Sequence, residues 1–115
     1  MTYQTPQDLE SEQAVLGACL MERNAVVRAA ELTKEDFYRE YHKKIHKAIL
    51  EIFDGGEPVN VITVAEELRR TGQLEECGGV EYLVALSEAT NGVRFLDRSM
   101  LTLRECARFR RLLDL

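Results

Sequence analysis

Residues 56–83 read GEPVNVITVAEELRRTGQLEECGGVEYL, and this stretch decides the fold. Pro58 disfavours helix at the residue before it, and the β-branched residues that follow favour a short extended connector. Thr63 followed by Glu66 has the spacing of a capping box, which predicts a helix that starts there and ends at Gly72. The stretch contains no catalytic constellation, so it specifies shape and not chemistry.

Helical spacing of apolar residues continues on both sides of this stretch, and alternation with a period of two barely occurs. Thr5-Pro6 predicts the start of a first helix, and Asn24 and Thr33 are candidate caps of two further starts. The fold class is therefore all-α, a compact orthogonal bundle of about six helices. Apart from the start at Thr33, the predicted helices are about Pro6–Glu22, Asn24–Leu32, Glu40–Asp54, Thr63–Thr71, Gly79–Ala89 and Arg94 to the end.

The apolar stripes of these helices predict the core, because residues that share one face at 100° per residue are buried together. Two glycines after Asp54 and the Asn91-Gly92 pair mark turns that separate the helices. The predicted core residues are Leu9, Val15, Leu16, Cys19 and Leu20 on the first helix, Tyr41, Ile45, Ala48, Ile49 and Ile52 on the helix from Glu40, and Val80, Leu83, Val84 and Leu86 on the helix from Gly79.

The last helix changes its apolar face partway along. Leu96, Met100, Leu103 and Ala107 share one stripe, but Arg110 stands at its next position, and the later apolar residues lie on another side. We therefore assign residues 1–92 to a helical globule and 93–115 to a long helix that packs on the globule first and on a partner afterwards. We also expect the chain to stop in mid-element, without the partner helix. The candidate protein-interaction surface is Arg98, Leu101, Arg108, Phe109, Leu112 and Leu113.

Composition and charge limit the class of protein. A chain of 115 residues with 45% hydrophobic residues is long enough for one globular domain with a single core. A net charge of −5 argues against a surface built for phosphate, which needs clustered Lys and Arg. Three cysteines far apart form no metal or disulfide pattern, and no signal or membrane-spanning segment is recognisable. We expect a cytoplasmic protein with reduced thiols.

No pattern predicts catalysis or a cofactor. His42 and His46 have zinc spacing on a helix, but two lysines lie between them and the Glu of a zinc-protease motif is absent. We predict that His42 is a hydrogen-bonding residue and His46 a surface residue. Glu12 lies within an apolar arc without a catalytic partner, so we predict a structural carboxylate that pairs with a Lys, Arg, His or helix N-terminus. Without a nucleotide-binding loop, the chain alone is not expected to hydrolyse ATP.

A helix-turn-helix reader of DNA is a further possibility for residues 63–89. The second helix of that pair would enter the major groove, yet it carries Glu81 and Glu88 and neither Lys nor Arg. We therefore do not expect this pair to read DNA.

The ordered set of motifs resembles the N-terminal domain of the bacterial replicative DNA helicase of the DnaB type. The resemblance covers nearly the whole chain, is strongest over residues 56–83, and has Asn60 where the family typically has Asp. The matching motifs are the opening PQDLESEQAVLGACL from Pro6, Asp36-Phe37-Tyr38, His42, Ile45 to Ile49, Pro58-Val59, Thr63-Val64, Glu67-Leu68, Gly72, Leu74, Gly78-Gly79, Tyr82-Leu83, Thr90-Asn91 and Arg110-Arg111-Leu112-Leu113.

The resemblance implies a non-catalytic collar domain of a hexameric, ATP-dependent helicase. In this family the helical globule is followed by a helical hairpin, whose arms pair between neighbouring subunits, and residues 93–115 would be its first arm. The implied partners are primase, neighbouring helicase subunits and, in addition, a helicase loader, with DNA reached only through the full-length ring. No cofactor is implied for these residues, because ATP and Mg²⁺ belong to the motor domain.

Two alternatives stay open at this stage. A stand-alone helical adaptor from a phage or plasmid would capture primase or a loader, and the coding frame would then not continue past Leu115 into a nucleotide loop. A small DNA-binding regulator would be retained on DNA in a salt-dependent manner, whereas the net charge of −5 predicts no retention.

Overall fold

Six α-helices and one 3₁₀ helix make up the secondary structure of residues 7–89 and 94–113, which the computed structural model describes. These ranges contain no strand, so the predicted all-α fold is confirmed. The elements are α1 (Leu9–Met21), α2 (Arg23–Ala29), the 3₁₀ helix (Lys34–Asp36), α3 (Glu40–Asp54), α4 (Val61–Arg70), α5 (Gly79–Ala89) and α6 (Leu96–Leu113).

Helix α1 is the centre of the bundle. It packs against α2, α3, α5 and α6, while α4 closes the far side by packing on α3 and α5. Val15, Leu16 and Cys19 on α1 are fully buried, and residues 15–20 are all buried, so the second half of this helix is covered on every side. The Cα radius of gyration of 13.8 Å is close to the value of about 13 Å expected for a compact domain of this size.

The boundaries of α3 and α5 agree with the sequence prediction. Helix α3 ends where Gly55 and Gly56 follow it, and Gly56 adopts a positive φ of 77° that an L-residue rarely takes. The predicted cap at Thr33 is also confirmed, because its backbone N–H donates to Asp36 Oδ2 at 2.8 Å in a capping box at the 3₁₀ helix. These boundaries are set by local residues alone.

The predicted starts of α1 and α2 were wrong. Helix α1 begins at Leu9, and Asp8 caps it by accepting a 2.9 Å hydrogen bond from the backbone N–H of Ser11. Thr5 and Pro6 lie outside the described residues. Helix α2 already begins at Arg23, so Asn24 is an internal residue and not its cap.

The start of α4 was also predicted at the wrong residue. Asn60 is the cap: its Oδ1 accepts from the backbone N–H of Thr63, while Thr63 Oγ1 accepts from that of Asn60, each at 3.0 Å. The Thr63 hydroxyl also donates to the carbonyl oxygen of Pro58 at 2.8 Å. Thr63 therefore closes the capping box from inside the first turn, and Val61 and Ile62 are helical rather than extended.

The buried face of α5 is narrower than predicted. Leu83 and Leu86 are buried, but Val80 and Val84 are 38% and 37% exposed. Helix α5 is apolar on most of its circumference, and only the side that faces α1 and α4 is covered. Periodicity alone does not indicate which apolar side faces the core.

Candidate protein-interaction surface

One face of α6 belongs to the core. The predicted stripe of Leu96, Met100, Leu103 and Ala107 is buried, and it packs on α1. Its four members recur at three- and four-residue intervals, so they fix the rotation of the whole helix. The opposite side of α6 therefore points away from the globule.

That opposite side carries large apolar residues that the globule leaves uncovered. The exposed fractions are 56% for Leu101, 53% for Phe109, 54% for Leu112 and 48% for Leu113. At 100° per residue, Arg98, Leu101, Arg108, Phe109 and Leu112 fall within about a quarter to a third of the circumference, opposite the core stripe. We call these five residues the outer face of α6.

Leu113, the sixth residue of the predicted surface, lies at its margin and lines a cleft beside the 3₁₀ helix. Arg98 is exposed and also lines a different cleft shared with α1 and the end of α5. The structure therefore brings five of the six predicted residues onto one face and places Leu113 towards the globule.

Polar contacts hold α6 on both sides of its core stripe. Asp97 pairs with Arg28 of α2, and Arg104 Nη2 lies 3.3 Å from Glu31 Oε2 just beyond α2. Arg110 Nη2 donates to the carbonyl oxygen of Glu35 at 2.9 Å, and its guanidinium lies over the Tyr38 ring. Arg110 thus explains the change of apolar face: it ties the last turns of α6 to the 3₁₀ segment with a polar group.

A buried polar cluster joins α1, α3 and α5. Glu12 is fully buried, with Oε1 2.7 Å from His42 Nδ1 and Oε2 accepting from the backbone N–H of Tyr38 at 2.9 Å. His42 Nε2 lies 2.6 Å from the hydroxyl of Tyr82, which also accepts a 3.2 Å hydrogen bond from Gln13 Nε2. We call Glu12, Gln13, His42 and Tyr82 the polar cluster. The predicted structural role of Glu12 is confirmed.

The donors and acceptors of the polar cluster form one consistent chain. Although burial raises the pKa of Glu12, its hydrogen bonds from His42 and from the backbone N–H of Tyr38 lower that pKa overall, so the carboxylate accepts. Burial raises the pKa of Tyr82, so its hydroxyl keeps the proton that it donates to His42. Glu12 and His42 are fully buried and out of reach of a substrate. The cluster therefore holds three helices together.

His46 was predicted at the surface but is buried. Its Nε2 donates to the carbonyl oxygen of Ala29 at 3.0 Å, and its ring lies 4.9 Å from that of Phe37. His46 follows His42 by one helical turn on the side that α2 covers, and this burial explains the misprediction. Within the described residues, no group of three or more His, Cys, Asp or Glu is placed to hold a metal ion.

The buried groups His46 and Glu12 both predict that the stability of the fold decreases as the pH is lowered. Burial lowers the pKa of His46, although the hydrogen bond to Ala29 opposes this, so the unfolded chain binds the proton more readily. The contribution of His46 is complete above its ordinary pKa of 6.5 and declines as the pH falls below it. The pKa of Glu12 is also lowered, so its contribution is lost at more acidic pH, below 4.5.

We expect His46→Phe to flatten the pH dependence of the free energy of unfolding between about pH 7 and 5. Phenylalanine keeps the ring contact with Phe37 and has no proton to bind. Urea unfolding followed by circular dichroism at several pH values measures the effect. An unchanged slope in this range would show that His46 is not the group responsible.

Comparisons with known proteins identify the family. The model of the DnaB-like helicase N-terminal domain matches residues 4–104. The replicative DNA helicase DnaB of Geobacillus stearothermophilus is 53% identical over 85 residues, which are 73% of this chain and 19% of that protein. The crystal structure of the N-terminal domain of DnaB helicase from Mycobacterium tuberculosis superposes with a TM-score of 0.92 at 38% identity, covering 96% of this chain and 81% of that one.

The chain belongs to the family of DnaB-like helicase N-terminal domains. A second solved structure, of a DnaB-like replicative helicase and its interactions with primase, has a TM-score of 0.79 and 25% identity over 93% of this chain and 25% of that one. These 115 residues do not include the helicase motor domain, and they span about a fifth of the Geobacillus helicase. No described helix is both long and apolar enough to cross a membrane.

Proposed function

We propose that this chain is the non-catalytic collar domain of a hexameric, ATP-dependent replicative DNA helicase, and that it joins neighbouring subunits and docks primase during DNA replication. The observation that carries this is the outer face of α6, where Leu101, Phe109 and Leu112 stay exposed opposite a buried stripe. Large apolar residues grouped on one exposed face are characteristic of protein-interaction sites.

Each part of the chain has a separate role in this collar. Residues 1–92 form the globule that fixes the direction of α6, and residues 93–115 form the first arm of a helical hairpin. ATP and Mg²⁺ are bound by the motor domain of the full-length protein, which also provides the contact with DNA. The protein acts in the cytoplasm, and a helicase loader is a further partner of the collar. The family membership and the solved relative with its primase interactions support this assignment.

We expect Phe109→Asp and Leu112→Asp each to weaken self-association and primase binding at least about tenfold, because a charge replaces a side chain that the partner would bury. Sedimentation velocity over a range of concentrations measures self-association, which should be weak for the unchanged chain. Biosensor titration with the cognate primase measures docking. Circular dichroism should show unchanged helicity, because both side chains are about half exposed.

Ile62→Asp is the matched control, because Ile62 is 69% exposed on α4, outside the outer face of α6. This variant should self-associate and bind primase like the unchanged chain. If the unchanged chain does neither, or if Ile62→Asp weakens both as much as Phe109→Asp, the collar assignment for α6 is wrong.

A further inference from the structure

The lysine residues are concentrated on one side of the domain. All four lysines of the sequence, Lys34, Lys43, Lys44 and Lys47, line a single cleft of about 570 Å³ along α3. Its apolar wall includes Leu32 and Leu50. Lys43, Lys44 and Lys47 lie within five residues on α3, and Lys34 joins them from the 3₁₀ helix.

A second cleft adjoins the first and extends the basic surface to α6. It has a volume of about 890 Å³, a size typical of ligand sites, and it shares Glu40 and Lys43 with the first cleft. Tyr38, Tyr41 and Leu113 give it an apolar component. We call the cations of the two clefts the basic band: Lys34, Arg39, Lys43, Lys44, Lys47, Arg110 and Arg111.

The basic band reverses the charge balance of the chain. It holds seven of the 15 basic residues, whereas the same two clefts hold four of the 20 acidic residues. Lys34, Lys47 and Arg111 form no ion pair with any residue in the described ranges. These three cations are therefore available to a partner.

Arg39 provides a further unused donor. Its Nη1 atom is buried without a hydrogen bond to any described residue, and the nearest carboxylate oxygen, on Glu12, is 3.8 Å away. The Arg39 side chain as a whole is 22% exposed and lines the larger cleft, so its guanidinium adds positive charge there although Nη1 itself is buried.

We propose that the basic band binds an acidic segment of a partner protein in which Asp and Glu alternate with large apolar side chains. Its cations attract carboxylates, and its leucines and tyrosines receive the apolar residues. Duplex DNA fits less well, because it carries a charge about every 1.7 Å and cannot avoid the band's interleaved carboxylates Glu35, Glu40, Glu51 and Asp54. A peptide can place neutral residues opposite them.

The test uses the 115-residue chain and a fluorescein-labelled synthetic peptide in which Asp and Glu alternate with Leu and Phe. Fluorescence anisotropy should show saturable binding that weakens as salt increases. Lys47→Glu and Arg111→Glu should each weaken it about tenfold, because each replaces an attraction with a repulsion. The matched control is Arg69→Glu, since Arg69 is exposed on α4 and lines neither cleft. This control should change the affinity less than about twofold.

Several results would overturn this assignment. These are failure of the peptide to bind at low salt, equal weakening by Arg69→Glu, and tighter binding of single- or double-stranded DNA oligonucleotides at the same residues. A loss of self-association in Lys47→Glu without peptide binding would instead identify a second copy of the chain as the occupant. Peptide binding by the basic band is separate from the role of the outer face of α6, because Phe109→Asp should leave peptide binding unchanged while it weakens primase docking.

Discussion

Glu12→Ala is expected to lower the free energy of unfolding by about 2–5 kcal/mol, because it removes the acceptor of two buried donors at about 1–3 kcal/mol each. The carboxylate accepts hydrogen bonds from His42 Nδ1 and from the backbone N–H of Tyr38, at 2.7 and 2.9 Å. Alanine leaves both donors buried without an acceptor, next to the side chain of Arg39. Urea unfolding followed by circular dichroism measures the change.

Two further substitutions on α1 test whether the loss of stability comes from the buried hydrogen bonds of Glu12. Glu10→Ala should change stability by less than about 0.5 kcal/mol, because Glu10 is exposed in the first turn of the same helix. The loss of unfolding free energy in Glu12→Gln should lie between the losses in Glu10→Ala and Glu12→Ala. Glutamine keeps one acceptor oxygen, but its amide group faces another hydrogen-bond donor. If Glu12→Ala costs less than about 1 kcal/mol, the desolvation of the carboxylate cancels its hydrogen bonds.

The contacts within the polar cluster could not be predicted from the sequence. Glu12 and His42 are 30 residues apart, and His42 and Tyr82 are 40 apart, so only the packing of three helices brings them together. The sequence did carry one signal, a carboxylate inside the apolar arc of α1, and this predicted a buried pair. No pattern in the sequence indicated that Tyr82 and Gln13 belong to the same cluster, because neither residue stands out from its neighbours.

The spacing of apolar residues predicted where the helices lie, but the sequence did not show which of two possible residues caps a helix. The core stripe of α6 was predicted in full because an apolar residue recurs at every third or fourth position until Arg110. The sequence predicts Thr63 as the N-cap because Glu66 follows it at capping-box spacing. In the structure Asn60 is the N-cap, because Asn60 and Thr63 exchange two hydrogen bonds and the Thr63 hydroxyl also donates to the carbonyl oxygen of Pro58. The exposure of the outer face of α6 agrees with the pattern, but its partners stay a prediction.

Gly78→Ala is expected to lower the free energy of unfolding by about 2–4 kcal/mol, from two separate causes. Gly78 has a φ of 95°, a left-handed conformation that costs an alanine about 1–2 kcal/mol. A Cβ atom there would also lie 2.6 Å from the Cβ of Tyr82, which is too close for either to remain in place. Because Tyr82 bonds to His42, its displacement would disturb the polar cluster as well.

Gly72→Ala separates the two causes, because Gly72 has a similar φ of 73° and a Cβ atom there would meet nothing within 4 Å. It should cost only the backbone component, about 1–2 kcal/mol, when both variants are unfolded in urea. The excess loss in Gly78→Ala then measures the displacement of Tyr82, and amide chemical shifts around His42 should move in that variant alone. Equal losses in the two variants would mean that α5 shifts as a unit and keeps the hydrogen bond between Tyr82 and His42.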